Sequence, residues 1–420
     1  MSKETTIKTQ LPKLRFPEFM DMGKWEENIL GCVSDVRDGT HDSPKFYRTG
    51  RLLITSKNLL PNGELDLVNA NLISEQDYKQ INKRSKVDIG DIIFGMIGTI
   101  GNPVRVRTEG YAIKNVALIK QKKELLNSYL VQFLNSEYIA REFSILNSGN
   151  SQKFISLGKI RSLSFPTPPI TEQQKIADCL SSIDDLITAQ AKNLELLNDH
   201  KKGLMQQLFP AEGETVPKLR FSEFRGAPEW GKKSLGEIAV FCKGKGLPKS
   251  AITHEGRNLC IHYGELFTKY TEVINTVKSR TDLNDGCLFS AENDVLMPTS
   301  DVTPNGLAKA CCIKSKGVIL GGDILVIRPD RQTVNGEFLA RLIRNLEQKV
   351  LQLVSGSTVF HLYASSIDKL ALLIPVHIEQ QKIADCLSSI DELISAQIKK
   401  LETLKAHKKG LMQQLFPVYN

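Results

Sequence analysis

No run in this sequence reaches the ~18 consecutive apolar residues that a bilayer-spanning helix needs, and residues 1–10 are polar, without the apolar core of a secretory leader. A cytoplasmic location with no membrane partner is expected. None of the eight cysteines forms a Cys-x-x-Cys pair with a second pair downstream, so reduced structural thiols are expected rather than zinc or disulfides. The adjacent Cys311 and Cys312 would face opposite sides of a strand. Seven histidines are scattered without metal-ligand spacing. Catalytic signatures are missing as well. In Gly244-Lys245-Gly246-Leu247-Pro248-Lys249-Ser250 a proline stands where a phosphate loop requires glycine, and the spacing is short. Residues 94–101 carry regularly spaced glycines but begin inside a strand and open no helix. Asn102-Pro103 continues with Val104, which excludes the Asn-Pro-Pro-aromatic signature of amino-methylating enzymes, and Asp330 and Glu337 lack the lysine of a nuclease carboxylate cluster. No catalytic residue, no metal and no cofactor is expected on this chain.

What the chain does have is a repeat. Residues 172–210 and 379–417 align without gaps at a shift of 207, identical at 32 of 39 positions. A shorter pair, Lys13-Leu14-Arg15-Phe16-Pro17-Glu18-Phe19 and Lys218-Leu219-Arg220-Phe221-Ser222-Glu223-Phe224, matches at a shift of 205, with Trp25 and Trp230 following. Both long repeats read as helices. The first carries a heptad seam of Ile176, Leu180, Ile183, Ile187, Leu194, Leu197, Leu204 and Leu208; the second repeats it as Ile383, Leu387, Ile390, Ile394, Leu401, Leu404, Leu411 and Leu415. Polar residues interrupt each seam, Gln190 and Lys201 in one, Gln397 and Lys408 in the other. Thr171 and Gln174 form a candidate capping box. A stripe of this length must be buried against a partner, and an antiparallel pair within the chain is favoured over an intermolecular coiled coil.

The expected division is an N-terminal arm (1–25), a first domain (26–167), a central helix (168–210), a linker repeating the arm (211–230), a second domain (231–374), a C-terminal helix (375–417) and a tail (418–420). The arm is expected to close on the end of the last helix, as the linker follows the central one. The fold class is two mixed α/β (α+β) domains separated by two long helices that form an antiparallel coiled coil, a cyclic repeat with pseudo-two-fold symmetry. Leu52-Leu53-Ile54-Thr55, residues 91–94 and 111–119 read as strands in the first domain, and 128–145 as a helix; residues 294–297, 324–327 and the helical 337–353 echo them in the second. Landmarks recur between the two domains, namely Leu30-Gly31 with Leu235-Gly236, Asp91 with Asp294, and Ser148-Gly149 with Ser355-Gly356.

The net charge is +8, yet the two repeats together carry −1, so an excess of nine positive charges belongs to the domains and their flanks. A surface that neutralises phosphates needs that distribution. The expected DNA contacts are Lys57, Asn58, Arg84, Lys86, Arg105 and Lys153 in the first domain, and Lys243, Lys245, Tyr263, Tyr270, Arg280, Thr358 and His361 in the second. The competing readings are a stand-alone DNA-binding protein or a plain coiled-coil scaffold; the second leaves the charge distribution unexplained.

Variable domains alternating with repeated helices, each opened by Pro-x-x-x-Glu-Gln-Gln-Lys-Ile-Ala-x-x-Leu-x-x-Ile-Asp (168–184 and 375–391), make the chain similar to the specificity subunits of type I restriction-modification systems. The turns Asp38-Gly39-Thr40-His41 and Gly356-Ser357-Thr358 look like features of that family; Gly149-Asn150-Ser151 departs from the second pattern. The resemblance implies that each domain is a target-recognition domain reading one half of a bipartite site in double-stranded DNA. It implies helices that act as a spacer and recruit two modification subunits, which bind S-adenosylmethionine and methylate adenine. Where restriction subunits are present, two of them would add ATP- and Mg-dependent cleavage.

Overall fold

The computed structural model describes residues 11–147 and 154–417; the landmarks at 148–152 and the expected contact Lys153 lie outside these. The described parts of Met1–Ala191 with Lys399–Asn420 form one compact unit, and Lys192–Ile398 forms another. The division falls inside both long helices rather than at their ends.

In the first unit an antiparallel sheet runs in the order Val36–Asp38, Val116–Ile119, Ile92–Gly95, Gly101–Arg105. Successive residues point to opposite faces. Ile92, Phe94, Ala117 and Ile119 enter a core with the helix residues Tyr129 and Phe133, whereas Ile93, Val116 and Leu118 enter a second core on the other side. Burial on both faces explains why these strands read as unbroken apolar runs instead of alternating ones. The second unit repeats the plan. Ala239–Lys243, Ile324–Pro329, Val295–Pro298 and Cys311–Ile313 follow in order, with Val273–Ile274 added at the edge. Cys312 lies in one core and Cys311 in the other, as expected of neighbours in a strand.

Three segments break where the sequence reads as continuous. The run 111–119 is two strands, Ala112–Ile113 and Val116–Ile119, separated by Asn115 at φ +54°. The helix expected at 128–145 is Asn127–Leu134 followed by Glu137–Asn147, and that at 337–353 is Gly336–Asn345 followed by Glu347–Leu351. The chain turns at Asn135 and Ser136 in the first pair and at Leu346 in the second, which keeps two apolar faces on one core.

The long helices are Ile170–Leu208 and His377–Leu415, 39 residues each. Thr171 does not cap the first. The helix begins one residue earlier, Pro169 accepts the Glu172 and Gln173 amides at 2.9 Å, and the Gln174 side chain donates to Asp178 instead. Seam residues are buried near the helix starts and at Leu208 and Leu415, and half-buried through the middle turns, where the flanking positions are mostly exposed. In the first unit the start of the central helix runs antiparallel to the end of the C-terminal one. Ile176 and Leu180 share a core with Leu415, and Lys408 Nζ lies 2.6 and 2.8 Å from the Asp184 carboxylate. The second unit has the same arrangement with the roles exchanged: Leu208 shares a core with Ile383 and Leu387, and Lys201 Nζ lies 2.7 Å from Asp391. The lysines that interrupt the seam are therefore ion-paired, each to the aspartate of the antiparallel helix.

The short repeat fastens the helix starts. Arg15 donates from Nε and Nη2 to the two oxygens of Glu172, both at 2.8 Å, and Trp25 Nε1 donates to Glu172 at 3.2 Å. Arg220, Glu379 and Trp230 repeat this at 2.8, 2.7 and 3.3 Å. These carboxylates are 1 % exposed, so the fork-to-fork pairing and the indole bond are what make their burial tolerable. Leu14 N donates to Gln414 O at 3.0 Å, as Leu219 N does to Gln207 O at 2.9 Å. The N-terminal arm thus closes on the end of the C-terminal helix in the way the linker closes on the central one.

Candidate nucleic-acid interface

At one edge of each central sheet, a strand ends in a glycine turn. In the first unit Val36–Asp38 leads into Gly39; in the second Ala239–Lys243 leads into Gly244. A Cβ at Gly39 would run into the Ile113 carbonyl, and one at Gly244 into that of Gly321. Glycine is required at both because another backbone passes directly beneath. The residue before the glycine is what differs, Asp38 in one unit and Lys243 in the other.

Asp38 is the hub of its turn. Its Oδ2 lies 2.9 Å from His41 Nε2, its Oδ1 is paired with Arg84 Nη2, and His41 Nδ1 lies 2.8 Å from Asn115 Oδ1. Burial pushes the Asp38 carboxyl up, but the His41 contact and the Arg84 charge outweigh it and hold it below the usual carboxylate range. His41 is raised above its ordinary value by its contacts with Asn115 and Asp38. The carboxylate is 11 % exposed, whereas the imidazole and guanidinium are 56 and 66 % exposed. Beside this turn, Lys45-Phe46-Tyr47-Arg48 is exposed throughout, with Phe46 at 58 % and Tyr47 at 49 %.

In the second unit Lys243 opens onto a cleft of about 570 Å³ lined also by Thr299, Ser300, Asp323, His361 and Tyr363. His361 pairs with Ser300 across a short antiparallel ladder, and its ring stacks on Tyr363 with centroids 6.0 Å apart. It closes a hairpin whose other end is Ser355, with Gly356 at φ +120° and Thr358 exposed toward its tip. The φ at Gly356 explains the glycine of the Gly-Ser-Thr turn. In the first unit Phe154 bridges to Ile97 as His361 does to Ser300.

The structure brings some expected contacts together and withdraws others. Lys243 and His361 share the cleft, with Thr358 on the His361 hairpin. Arg84, at the end of helix Glu75–Ser85, joins Asp38, while its neighbour Lys86 is paired with Asp88 at 2.7 Å. Lys57, Arg105, Lys245 and Arg280 are exposed; Arg280 also donates to Gly256 O at 3.3 Å. Tyr263 is half-buried against the second unit's inner core, between His262 and Phe267. Asn58 is a correction: it is buried, its Oδ1 accepts from Thr55 N and Oγ1 at 3.0 and 2.9 Å, and its Nδ2 donates to Asp66 O at 3.2 Å. Burial and the engagement of both ends of the amide in its own turn hold the side chain away from a base. Tyr270, like Tyr263, is half-buried against the inner core, and its hydroxyl accepts the Lys278 amide at 3.4 Å. Sequence reasoning missed His41, the 45–48 loop and Tyr363. Aromatic residues interleaved with basic ones were the available signal for the loop. The landmark Asp91 and Asp294 have internal roles, paired with Lys120, just past the strand Val116–Ile119, and with Arg328 in Ile324–Pro329. Among the described residues no cluster could hold a metal ion, and no helix is long and apolar enough to cross a membrane.

The family description "Type I restriction modification DNA specificity domain" matches residues 45–198 and again 228–406. The putative type I restriction enzyme MjaX specificity subunit of Methanocaldococcus jannaschii is 24% identical over 408 residues, covering 93% of this chain and 92% of that protein. The MjaVIII specificity subunit of the same organism is 23% identical, covering 82% of each. Among solved structures, the S subunit of a type I restriction-modification system from M. genitalium superposes with a TM-score of 0.65 at 16% identity, over 97% of this chain and 100% of that one. A chain from a study of type I R-M complex assembly gives 0.53 at 17%, over 93 and 97%. At these identities the structures show a shared fold.

Proposed function

Because the chain belongs to the type I restriction-modification DNA specificity family, we propose that it is the non-catalytic subunit that tells such a complex where to act, each domain reading one half of an asymmetric, bipartite DNA target. The observation that carries this is where the two units agree and where they differ. They keep the Arg–Glu–Trp fastening, the buried aspartates and the glycine turns, and they diverge at the rim: the nearly buried Asp38, which holds the exposed His41 and Arg84, against the exposed Lys243, and Phe154 against His361. A shared scaffold with unlike rims is what reading two different half-sites requires. Lys57, Arg84, Lys86, Arg105, Lys243, Lys245, Arg280, Thr358 and His361 are the proposed contacts from the sequence; the exposed 45–48 loop and Tyr363 are added to them.

The helices are the proposed docking surface for the modification subunits, one on each copy, which would bring S-adenosylmethionine and methylate adenine; restriction subunits would bring ATP and Mg. Leu186 and Leu393 support this. They occupy the same repeat position, 207 residues apart, and stay 50 and 57 % exposed. Half-exposed leucines at the same place on both helices suit a partner present in two copies. The test is to express the chain with a modification partner and map methylated adenines genome-wide. Two short, dissimilar half-sites with a fixed gap are expected. An uninterrupted or palindromic site would overturn the reading.

A further inference from the structure

Beyond the general reading of DNA, we infer that Asp38, His41 and Arg84 form a phosphate-binding site of the first domain, in which Asp38 is a positioning residue that holds two cations at the rim. Three observations carry it. The first is the geometry of His41: both ring nitrogens face oxygens, Asp38 Oδ2 at 2.9 Å and Asn115 Oδ1 at 2.8 Å. A neutral imidazole can donate from only one nitrogen, so with the Asn115 amide oxygen facing Nδ1 both contacts are made by the imidazolium. The second is the disposition of Asp38, nearly buried, with its two oxygens divided between His41 and Arg84 while the cations themselves stay exposed. Arg84 spends Nη2 on Asp38 and keeps the rest of its fork for a ligand. The third is the matching position in the second domain, where the residue before the turn glycine is itself a cation, Lys243, opening onto the cleft. Equivalent rims thus carry positive charge, directly in one domain and through a carboxylate that gathers two cations in the other.

The charge of this site depends on pH. Asp38, His41 and Arg84 sum to +1 with His41 protonated and to zero without, and the charged groups facing His41 are Asp38, which favours its proton, and Arg84, which opposes it. His41 is raised above the ordinary histidine value, so the extra charge is present below that raised value and is lost as pH rises through it. Nucleic-acid phosphate is the ligand this fits: a tetrahedral anion that takes donors from the open side of Arg84 and the field of the imidazolium.

This inference rests on the DNA-reading function, and the experiment separates the two. The full chain is titrated by fluorescence anisotropy against a labelled 25-base-pair duplex of mixed sequence between pH 5.5 and 8.5, as wild type, His41→Arg, His41→Gln, Asp38→Asn and Lys243→Ala. The wild type is expected to lose affinity severalfold as pH rises. His41→Arg should keep the low-pH affinity and flatten the profile, and His41→Gln should be weak throughout, with a salt slope shallower by about 0.9. Asp38→Asn should move the fall to lower pH. Lys243→Ala should weaken binding without altering the fall. Identical pH profiles for wild type and His41→Arg would overturn the site while leaving DNA reading intact; absence of duplex binding by every form at every pH would overturn both. Thermal unfolding of each variant, expected unchanged at these exposed histidine and lysine positions, guards against loss of fold.

Discussion

At the residue scale, the strongest constraint is the pair of buried carboxylates, Glu172 and Glu379. Each holds an arginine and an indole, and Trp25 and Trp230 are the only tryptophans in the chain. Truncating Glu379 strands Arg220, whose side chain is 8 % exposed, with an uncompensated charge. Glu379→Ala is expected to cost about 3–5 kcal/mol, and Glu379→Ala with Arg220→Met clearly less, because the second change removes the stranded ion. Denaturant unfolding followed through Trp230 fluorescence in a Trp25→Phe background reads this directly; equal losses in the single and double variants would show that the pair is not what matters. The residues of this device were visible in the sequence as a short repeat and the Glu-Gln-Gln helix opening, but their mutual contact was not, since 157 residues separate Arg15 from Glu172. The rim was legible in composition and poorly legible residue by residue. Lys243, Thr358 and His361 were proposed because their types suit DNA, and the structure places Lys243 and His361 on one cleft. Asn58 was misread because an asparagine that bonds its own backbone has the same letter as one that faces a base, and His41 went unassigned because, although Asp38 precedes it by three residues, Asn115 and Arg84 reach the turn from distant parts of the chain.

At the element scale, heptad spacing was enough to find both helices and their apolar seam, because that periodicity is local; their antiparallel pairing was inferred from the alternation of helices with domains of matching size. The reason for the lysines in the seam was not local. Lys408 and Lys201 meet Asp184 and Asp391, partners that depend on the register of the antiparallel pair. The two pairs are related by the repeat, yet their surroundings are not. Gln132 Nε2 donates to Asp184 at 3.0 Å, whereas in the second unit the fully buried Arg341 donates to Asp391 at 2.7 Å, and Lys201 also reaches Glu272 at 3.0 Å. Burial pushes the Glu272 carboxyl up, but Arg344 and Lys201 outweigh it and hold it at about 2. The same substitution in the two copies should therefore have unequal effects. Asp184→Ala removes a partly exposed pair, for about 0.5–1 kcal/mol. Asp391→Ala leaves Arg341 with a buried charge and Ser388 as its remaining hydrogen-bond partner, for about 3–5 kcal/mol. Equal costs in denaturant titrations would mean that the non-repeated domains do not tune the repeated helices.

At the scale of the whole molecule, the duplication was the most legible feature, and it carries the sharpest consequence for function. Each helix of 39 residues is about 58 Å long, and a protein that reads two half-sites with such helices between its domains should demand a fixed gap between them. Lengthening tests this. A seven-residue insertion in the middle of both helices preserves the heptad seam and adds about 10 Å, close to three base-pair steps of ~3.4 Å. The variant, expressed with its modification partner, should methylate the same two half-sites separated by about three more base pairs. A four-residue insertion in one helix alone adds about 6 Å but rotates everything beyond it by roughly 40° and throws the seam out of register, so poor assembly and weak methylation are expected. Target recognition should shift with length only when the seam survives, because distance and rotational phase on the duplex must both match. A seven-residue variant that assembles normally and still methylates at the original spacing would show that something other than the helices sets the gap.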